Sequence, residues 1–178
     1  MMLDRVTNQA DIETPRFTLR PLRRSDSGLV EMYAADERVA RMTKDIPHPL
    51  PPGAVAAMIE KGMKPDRDED IWVIDGLRSD FSEVMGLMVL KPLERKQSEV
   101  SYWIAPAFWN TGIATEAVTA LIAANPQKND QIFAEVFQDN PGSARVLTNC
   151  GFDYLGDAEA VCVSRDATVP TWTYIRKM

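Results

Sequence analysis

The sequence predicts an α/β (α+β) architecture, a mixed and mostly antiparallel sheet with helices on its faces. Three observations lead there. The β-rich runs "IWVIDGL" (71–77) and "VMGLMVLKPL" (84–93) are separated only by "RSDFSE", so they pair as an antiparallel hairpin, and "EVSYWIAP" (99–106) follows with no helix between. Helical segments alternate with strands only after residue 106, which argues against a doubly wound parallel sheet. The chain has 178 residues, 45% hydrophobic and 26% charged, which suits a single globular domain over 1–178 with a sizeable core.

The elements follow in order. "RFTLRPL" (16–22) alternates apolar and polar residues, with Phe17, Leu19 and Pro21 on one face, and proline ends the strand. "SDSGLVEMYAADERVARM" (25–42) predicts a helical region capped by Ser25 or Asp26, with Leu29, Met32, Tyr33 and Asp36 recurring at helical spacing. "PHPLPPG" (47–53) is a stiff loop, 54–63 a second helix stopped near Gly62, and "PDRDED" a charged connection. After the strand at 99–106 a helix spans 112–124 and ends at Asn125-Pro126. "IFAEVF" (132–137) is a strand. "NPGSARVLTNCGF" (140–152) is a short helix with Asn140 as N-cap, Pro141 as its first residue and Gly151 as its stop. "EAVCVSR" (159–165) and "TWTYIRKM" (171–178) form a last strand pair. The sequence shows no internal repeat, linker or low-complexity tract.

Composition narrows the function. A net charge of −6 disfavours nucleic acid, because neutralising phosphates needs a cationic surface. It mildly favours cationic partners. Cys150 and Cys162 form no C-x-x-C pair and no zinc-like spacing, which fits reduced thiols in a cytoplasmic protein. A single histidine, His48 in a Pro-rich loop, cannot build a His-rich metal site, so no metal is expected. The N-terminus lacks the pattern of a signal peptide, and no apolar run approaches the roughly 18 residues of a membrane helix.

The stretch "FWNTGIATEAVTALIAA" (108–124) poses the chemical question. A helix start presents free N–H groups and the positive end of a dipole, and small residues let a phosphate approach the backbone. "WNTGIAT" is therefore a candidate pyrophosphate cradle. It is equally a tight strand-to-helix turn with Gly112 at positive φ. The chain contains no G-x-x-x-x-G-K-[ST], and no G-x-G-x-x-G follows an early strand.

Four motifs in series resemble the GNAT N-acetyltransferases, in particular the branch that acetylates ribosomal-protein N-termini. The family's signature is Arg/Gln-x-x-Gly-x-Gly/Ala, often W-G-[RK]-G-[YI]-A-T-E-A in that branch; this chain has "WNTGIATEA" at 109–117. The branch continues with N-x-x-S-x-R-V-L and then G-F, matched by "NPGSARVLTNCGF". "TPRFTLRPLRRSD" resembles the branch's first strand and "EVSYWIAP" its "E-I-G-Y-W-I-x-P". Within the signature, Asn110 replaces a glycine, Thr111 a basic residue and Trp109 the Arg/Gln. Asn tolerates left-handed backbone, so the loop survives.

The resemblance implies a GNAT-type sheet splayed between the family's fourth and fifth strands, opening after residue 103, with 99–104 and 132–137 running parallel. It implies acetyl-CoA as cosubstrate, bound by Trp103, Ile104 and Ala105 along the pantetheine, by Trp109, Asn110, Thr111, Gly112, Ile113, Ala114 and Thr115 at the pyrophosphate, and by Asn140 and Ser143. An acetyl group then passes directly to a primary amine, from a protein N-terminus or a small molecule, within a ternary complex. The family's usual tyrosine acid falls at Leu147, so that acid is absent. Ser143 stands near the leaving sulfur in this branch, or is simply a polar residue of the first helical turn. Glu99 is the candidate base, or a solvated strand-end carboxylate. Glu116 is helix-borne and structural, and of Tyr102 and Trp103 one packs in the core while the other faces the cleft. A catalytically weak acetyl-CoA-binding regulatory domain is the alternative function. Nucleic acid and membrane are not expected partners, and the protein is a monomer or homodimer. Acceptor specificity should reside in 25–65 and near 164–171.

Overall fold

The computed structural model describes residues 5–178. Its centre is one sheet of eight strands: β1 (Ile12–Glu13), β2 (Thr18–Pro21), β3 (Asp70–Asp75), β4 (Gly86–Pro92), β5 (Gln97–Ile104), β6 (Gln131–Phe137), β7 (Asp153–Cys162) and β8 (Ala167–Lys177). The spatial order is β1-β2-β3-β4-β5-β6-β8-β7. Every pairing is antiparallel except β5 with β6. Helices α1 (Ser27–Ala34), α2 (Glu37–Ala40), α3 (Ala54–Gly62), α4 (Ile113–Ala124) and α5 (Pro141–Asn149) complete it. This is the mixed, mostly antiparallel α/β arrangement that the sequence predicts.

Two apolar clusters flank the sheet. On one face Phe17, Leu19, Trp72, Met88 and Ile132 pack with Ile113, Ala117, Val118 and Leu121 of α4 and with Ala144 and Leu147 of α5. On the other, Ile71, Val73 and Leu87 pack with Val30 and Ala34 of α1 and with Val55 and Ile59 of α3. Trp72 and Val73 are neighbours in β3 and serve opposite clusters, as the two-residue period of a strand requires.

The structure corrects the reading of several elements. The segment 25–42 is not one helix. Asp36 takes an extended conformation and its side chain accepts from the Arg38 amide at 2.9 Å, so it caps α2 and separates it from α1. The buried face of α1 is Val30 and Ala34, whereas Met32 is 57% exposed. The final strands are longer than 159–165 and 171–178. β7 begins at Asp153, separated from the end of α5 by three residues, and its first residues are invisible to an apolar-alternation test because Tyr154 and Leu155 are exposed and a register irregularity lies between Tyr154 and Gly156. The short β1 has too few residues to show any period.

The parting of β5 and β6 decides where a site can form. Their parallel pairing covers only Gln97↔Gln131, Ser98↔Ile132 and Glu99↔Phe133. The sheet therefore opens after Glu99, not after residue 103. Beyond it β5 stays paired to β4 as far as Ile104 and, among the described residues, has no strand on its other side. Its backbone there is an open sheet edge, which offers main-chain hydrogen bonds to anything that lies along it. Gly86 holds the far end of this strand close, since a Cβ at that position would collide with the Trp103 carbonyl oxygen.

Candidate active site

The opening between β5 and β6 contains two adjoining cavities. The larger, about 350 Å³, is lined by Tyr102, Trp103 and Ile104 of β5, by the run Phe108–Thr115, by α5 and its cap from Asn140 to Asn149, by Arg38 and Val39 of α2, and by Met42 just after it. The smaller, about 210 Å³, runs under the 42–46 loop and against β3, β4 and β6. Met42, Tyr102, Trp103, Asn140 and Ser143 line both. The cavities thus meet at the side chains of β5 and the first turn of α5.

Local backbone geometry builds the larger cavity's floor. Gly112 is the N-cap of α4 with φ 79° and has no side chain to cap the helix. The Glu116 amide is the one that bonds back to the Gly112 carbonyl, at 3.0 Å, so the amides of Ile113, Ala114 and Thr115 lack intrahelical acceptors and point out of the helix end. Asn110 also adopts a left-handed conformation, φ 61°, in the place where related motifs carry glycine. Glu116 secures the loop from behind. It accepts from the Thr14 hydroxyl at 2.7 Å, the Arg16 amide at 2.8 Å and the Arg16 Nε at 2.7 Å, and Arg16 in turn donates to the Thr111 carbonyl at 3.0 Å. Burial would raise the Glu116 carboxyl, but these hydrogen bonds outweigh it and hold the group below its ordinary range.

Of the residues predicted to bind a cofactor, Trp103, Ile104, Trp109, Asn110, Thr111, Gly112, Ile113, Ala114, Thr115, Asn140 and Ser143 all line the larger cavity. Ala105 does not; it is fully buried and its amide donates to the Met85 carbonyl at 2.9 Å. The Trp109 indole donates to the Ile104 carbonyl at 2.7 Å, and the Arg38 guanidinium lies 5.9 Å from the centre of its ring. Asn140 caps α5 by accepting from the Ser143 amide at 3.3 Å. Arg145, the arginine of the N-x-x-S-x-R-V-L motif, adds positive charge to the cavity wall, and Arg38, which nothing in the sequence singles out, lines it with its guanidinium paired to Asp36 at 2.8 Å.

Neither Tyr102 nor Trp103 is confined to the core, because both line both cavities. Tyr102 packs toward the α4–α5 side and Trp103 toward the α1–α3 side. The Tyr102 hydroxyl lies 2.9 Å from Ser143 Oγ, a contact no spacing rule could have found, since 41 residues separate them. Burial pushes the Tyr102 phenol up to about 12, against the opposing effect of the Ser143 hydrogen bond.

Glu99 lies at the last parallel pair and lines neither cavity. Its Oε1 is 3.2 Å from Lys44 Nζ, and that ammonium is also 3.0 Å from Glu135 Oε1 on β6. Lys44 therefore bridges the two strands where they separate. Burial would lower its pKa, but the Glu99 charge and the Glu135 hydrogen bond outweigh burial and raise it, so Lys44 stays an ammonium. Lys44, Asp45, Glu69 and Glu135 all line the smaller cavity. Burial raises the Glu69 carboxyl, and among the described residues no hydrogen bond or ion pair engages it. Among the described residues, no group of three or more His, Cys, Asp or Glu side chains is placed to hold a metal ion, and no helix is long and apolar enough to cross a membrane.

Comparison with known proteins gives this geometry a family. No curated protein sequence matches the chain. Solved structures share its fold. An acetyltransferase of the GNAT family from Bacillus anthracis has a TM-score of 0.78 at 19% identity, covering 94% of this chain and 98% of the other. The ribosomal-protein-S5-alanine acetyltransferase from Vibrio fischeri has a TM-score of 0.76 at 19% identity, covering 95% and 97%. The spermidine N-acetyltransferase from Vibrio cholerae, solved with CoA and spermine, has a TM-score of 0.74 at 17% identity, covering 91% and 95%. Residues 16–153 match the family described as "Acetyltransferase (GNAT) domain". With most of its length matched, and with the splayed sheet and unfilled helix start described above, the chain belongs to the GNAT acetyltransferase family.

Proposed function

We propose that residues 1–178 act as one acetyl-CoA-dependent N-acetyltransferase domain, which moves an acetyl group to a primary amine by direct transfer in a ternary complex. We place it with the branch that acetylates ribosomal-protein N-termini, on the four motifs it shares with that branch. The observation that carries the reading is the meeting of two cavities at Tyr102, Trp103, Asn140 and Ser143. One can seat the donor and the other the acceptor, with the reacting atoms side by side at the junction.

The residues present fit acetyl-CoA. The amides of Ile113, Ala114 and Thr115 suit a pyrophosphate, the small side chains around Gly112 admit it, and Arg145 adds charge to the same cavity. The open edge of β5, where the backbone of Tyr102 and Ile104 faces away from β4 and the Ile104 carbonyl already accepts from the Trp109 indole, suits the amide groups of pantetheine, with Trp103 lining the cavity beside it. Acetyl-CoA supplies an activated acyl group, and the chain orients it and excludes water. In the smaller cavity the carboxylates of Asp45, Glu69 and Glu135 outnumber the one cation, Lys44. That balance favours a cationic amine, from a protein N-terminus or a small polyamine such as the one bound to the V. cholerae relative. We assign the role of base, through water, to Glu99, near the start of β5 and outside both cavities, with Lys44, which lines the smaller cavity, as its partner.

A second reading has its own support. Lys44 occupies Glu99, and Leu147, fully buried, stands where many family members carry a tyrosine acid. Both features suit a catalytically weak acetyl-CoA-binding regulatory domain. Thiol release from acetyl-CoA over a panel of peptide N-termini, polyamines and small amines separates the two. Acceptor-dependent release supports the enzyme, and tight binding without release supports the regulator. The reading places the protein in the cytoplasm as a monomer or homodimer, with no metal and no nucleic-acid or membrane partner.

A further inference from the structure

The junction of the two cavities contains a pair of hydroxyls, of which the resemblance places Ser143 near the leaving sulfur and leaves Tyr102 without a task. Tyr102 OH lies 2.9 Å from Ser143 Oγ and 3.4 Å from the Ser143 carbonyl oxygen. Among the described residues, neither hydroxyl hydrogen-bonds to any other side chain. Each carries one proton, and two arrangements satisfy the distances: Ser143 donates to Tyr102, whose own proton goes to the Ser143 carbonyl at 3.4 Å, or Tyr102 donates to Ser143 Oγ at the shorter 2.9 Å and leaves the Ser143 proton free. Ser143 is fixed from the backbone side as well, by its amide on the Asn140 side chain at 3.3 Å.

We propose that Tyr102 is a positioning residue that acts through Ser143: it donates to Ser143 Oγ and so turns the Ser143 proton toward the sulfur of CoA seated in the larger cavity. This rests on the acetyl-transfer reading. In the transfer the amine nitrogen bonds to the acetyl carbon, the carbon–sulfur bond breaks, and its electron pair stays on sulfur. Ser143 donates a hydrogen bond to that thiolate while Tyr102 donates to Ser143, each bond strengthening the other. The ammonium proton leaves by water and carboxylate, and no proton is lost from the pair.

Relative acidities explain why the pair donates hydrogen bonds and not protons. Burial pushes the Tyr102 phenol up to about 12, whereas an ordinary thiol titrates near about 8.5. Transfer of the phenolic proton to a thiolate would run uphill by roughly 3.5 pKa units, while a charge-assisted hydrogen bond carries no such penalty. Leu147 leaves the usual position for a tyrosine acid apolar. The Tyr102–Ser143 pair supplies polar contact with the leaving sulfur from β5 and the first turn of α5 instead.

The test titrates the thiol of CoA bound to the protein, following thiolate absorbance as a difference against the desulfo-CoA complex. No acceptor amine is needed. The wild-type complex should ionise its thiol at lower pH than free CoA does. Tyr102→Phe, which keeps the ring and its packing, and Ser143→Ala should each return the midpoint by about one pH unit, a tenfold change. The double variant should go no further than Ser143→Ala alone. An unshifted thiol in the wild type, an unchanged midpoint in a folded Tyr102→Phe protein, or additive effects in the double variant overturns the proposal. Calorimetry with CoA distinguishes the two levels of failure. Loss of binding in the wild type would overturn the acetyl-transfer reading itself, and intact binding with an unmoved Tyr102→Phe midpoint overturns only the hydroxyl pair.

Discussion

Gly112 and Glu99 carry different kinds of claim. Gly112 is a backbone claim. Its φ of 79° disfavours any side chain, and a Cβ built there meets nothing nearer than Arg16 Nη2 at 3.5 Å. Gly112→Val should therefore fold, with the helix start displaced by conformational strain and the cradle narrowed. A left-handed residue costs about 1–2 kcal/mol, so acetyl-CoA affinity should fall by about tenfold or more, measured by calorimetry. Glu99 is a chemical claim. Glu99→Gln should lower kcat/KM by about 10²-fold if it is the base, with acetyl-CoA affinity retained. Lys44→Met provides the control: an equal loss there assigns the effect to the ion pair bridging β5 and β6 and not to proton transfer. The positive φ of Gly112 was legible because one glycine before an apolar helix has few structural meanings, whereas its place in a cofactor cradle rests on the resemblance. The tie of Glu99 to Lys44 was not, because Lys44 comes from a loop that no periodicity places.

At the scale of elements, helix α4 depends on Glu116 to hold its first turn against residues 14–16. Removing three charge-assisted contacts with Glu116→Gln should cost about 2 kcal/mol at neutral pH, read by chemical denaturation. The pH dependence has a definite sign. The folded carboxyl titrates below its ordinary value, so its stabilisation is present above that value and is lost as pH falls through the folded one. Wild type should lose stability on acidification more steeply than Glu116→Gln does, in the range below about pH 4.5. Helices α4 and α5 were legible because each has an apolar face and clear punctuation: Gly112 and Asn125 for one, Asn140, Pro141 and Gly151 for the other. The break at Asp36 was not, since an aspartate at helical spacing also looks like a continued polar face. Nor was the point of splay. Residues 100–103 have ordinary strand character, and only the absence of a partner from β6 marks them as an open edge.

For the whole molecule, charge is the property that the sequence states most directly. A net charge of −6, with Asp45, Glu69 and Glu135 in the smaller cavity, should attract a cationic acceptor over distance. Raising ionic strength from low to physiological values should lower kcat/KM for a polyamine or basic peptide and change it little for a neutral amine of similar size. Equal salt sensitivity for both would remove the electrostatic argument. The order of strands and helices was legible because hairpins and helix caps are local. The two cavities were not, because they arise from residues far apart in sequence: Arg38 and Met42, Tyr102 and Trp103, Asn140 and Ser143. A crystal structure of the protein with CoA tests the account most directly. It should show the pyrophosphate on the amides of Ile113, Ala114 and Thr115, pantetheine along the open edge of β5, and the sulfur against Ser143 where the cavities meet. CoA bound elsewhere, or with its sulfur turned away from the smaller cavity, would contradict the account.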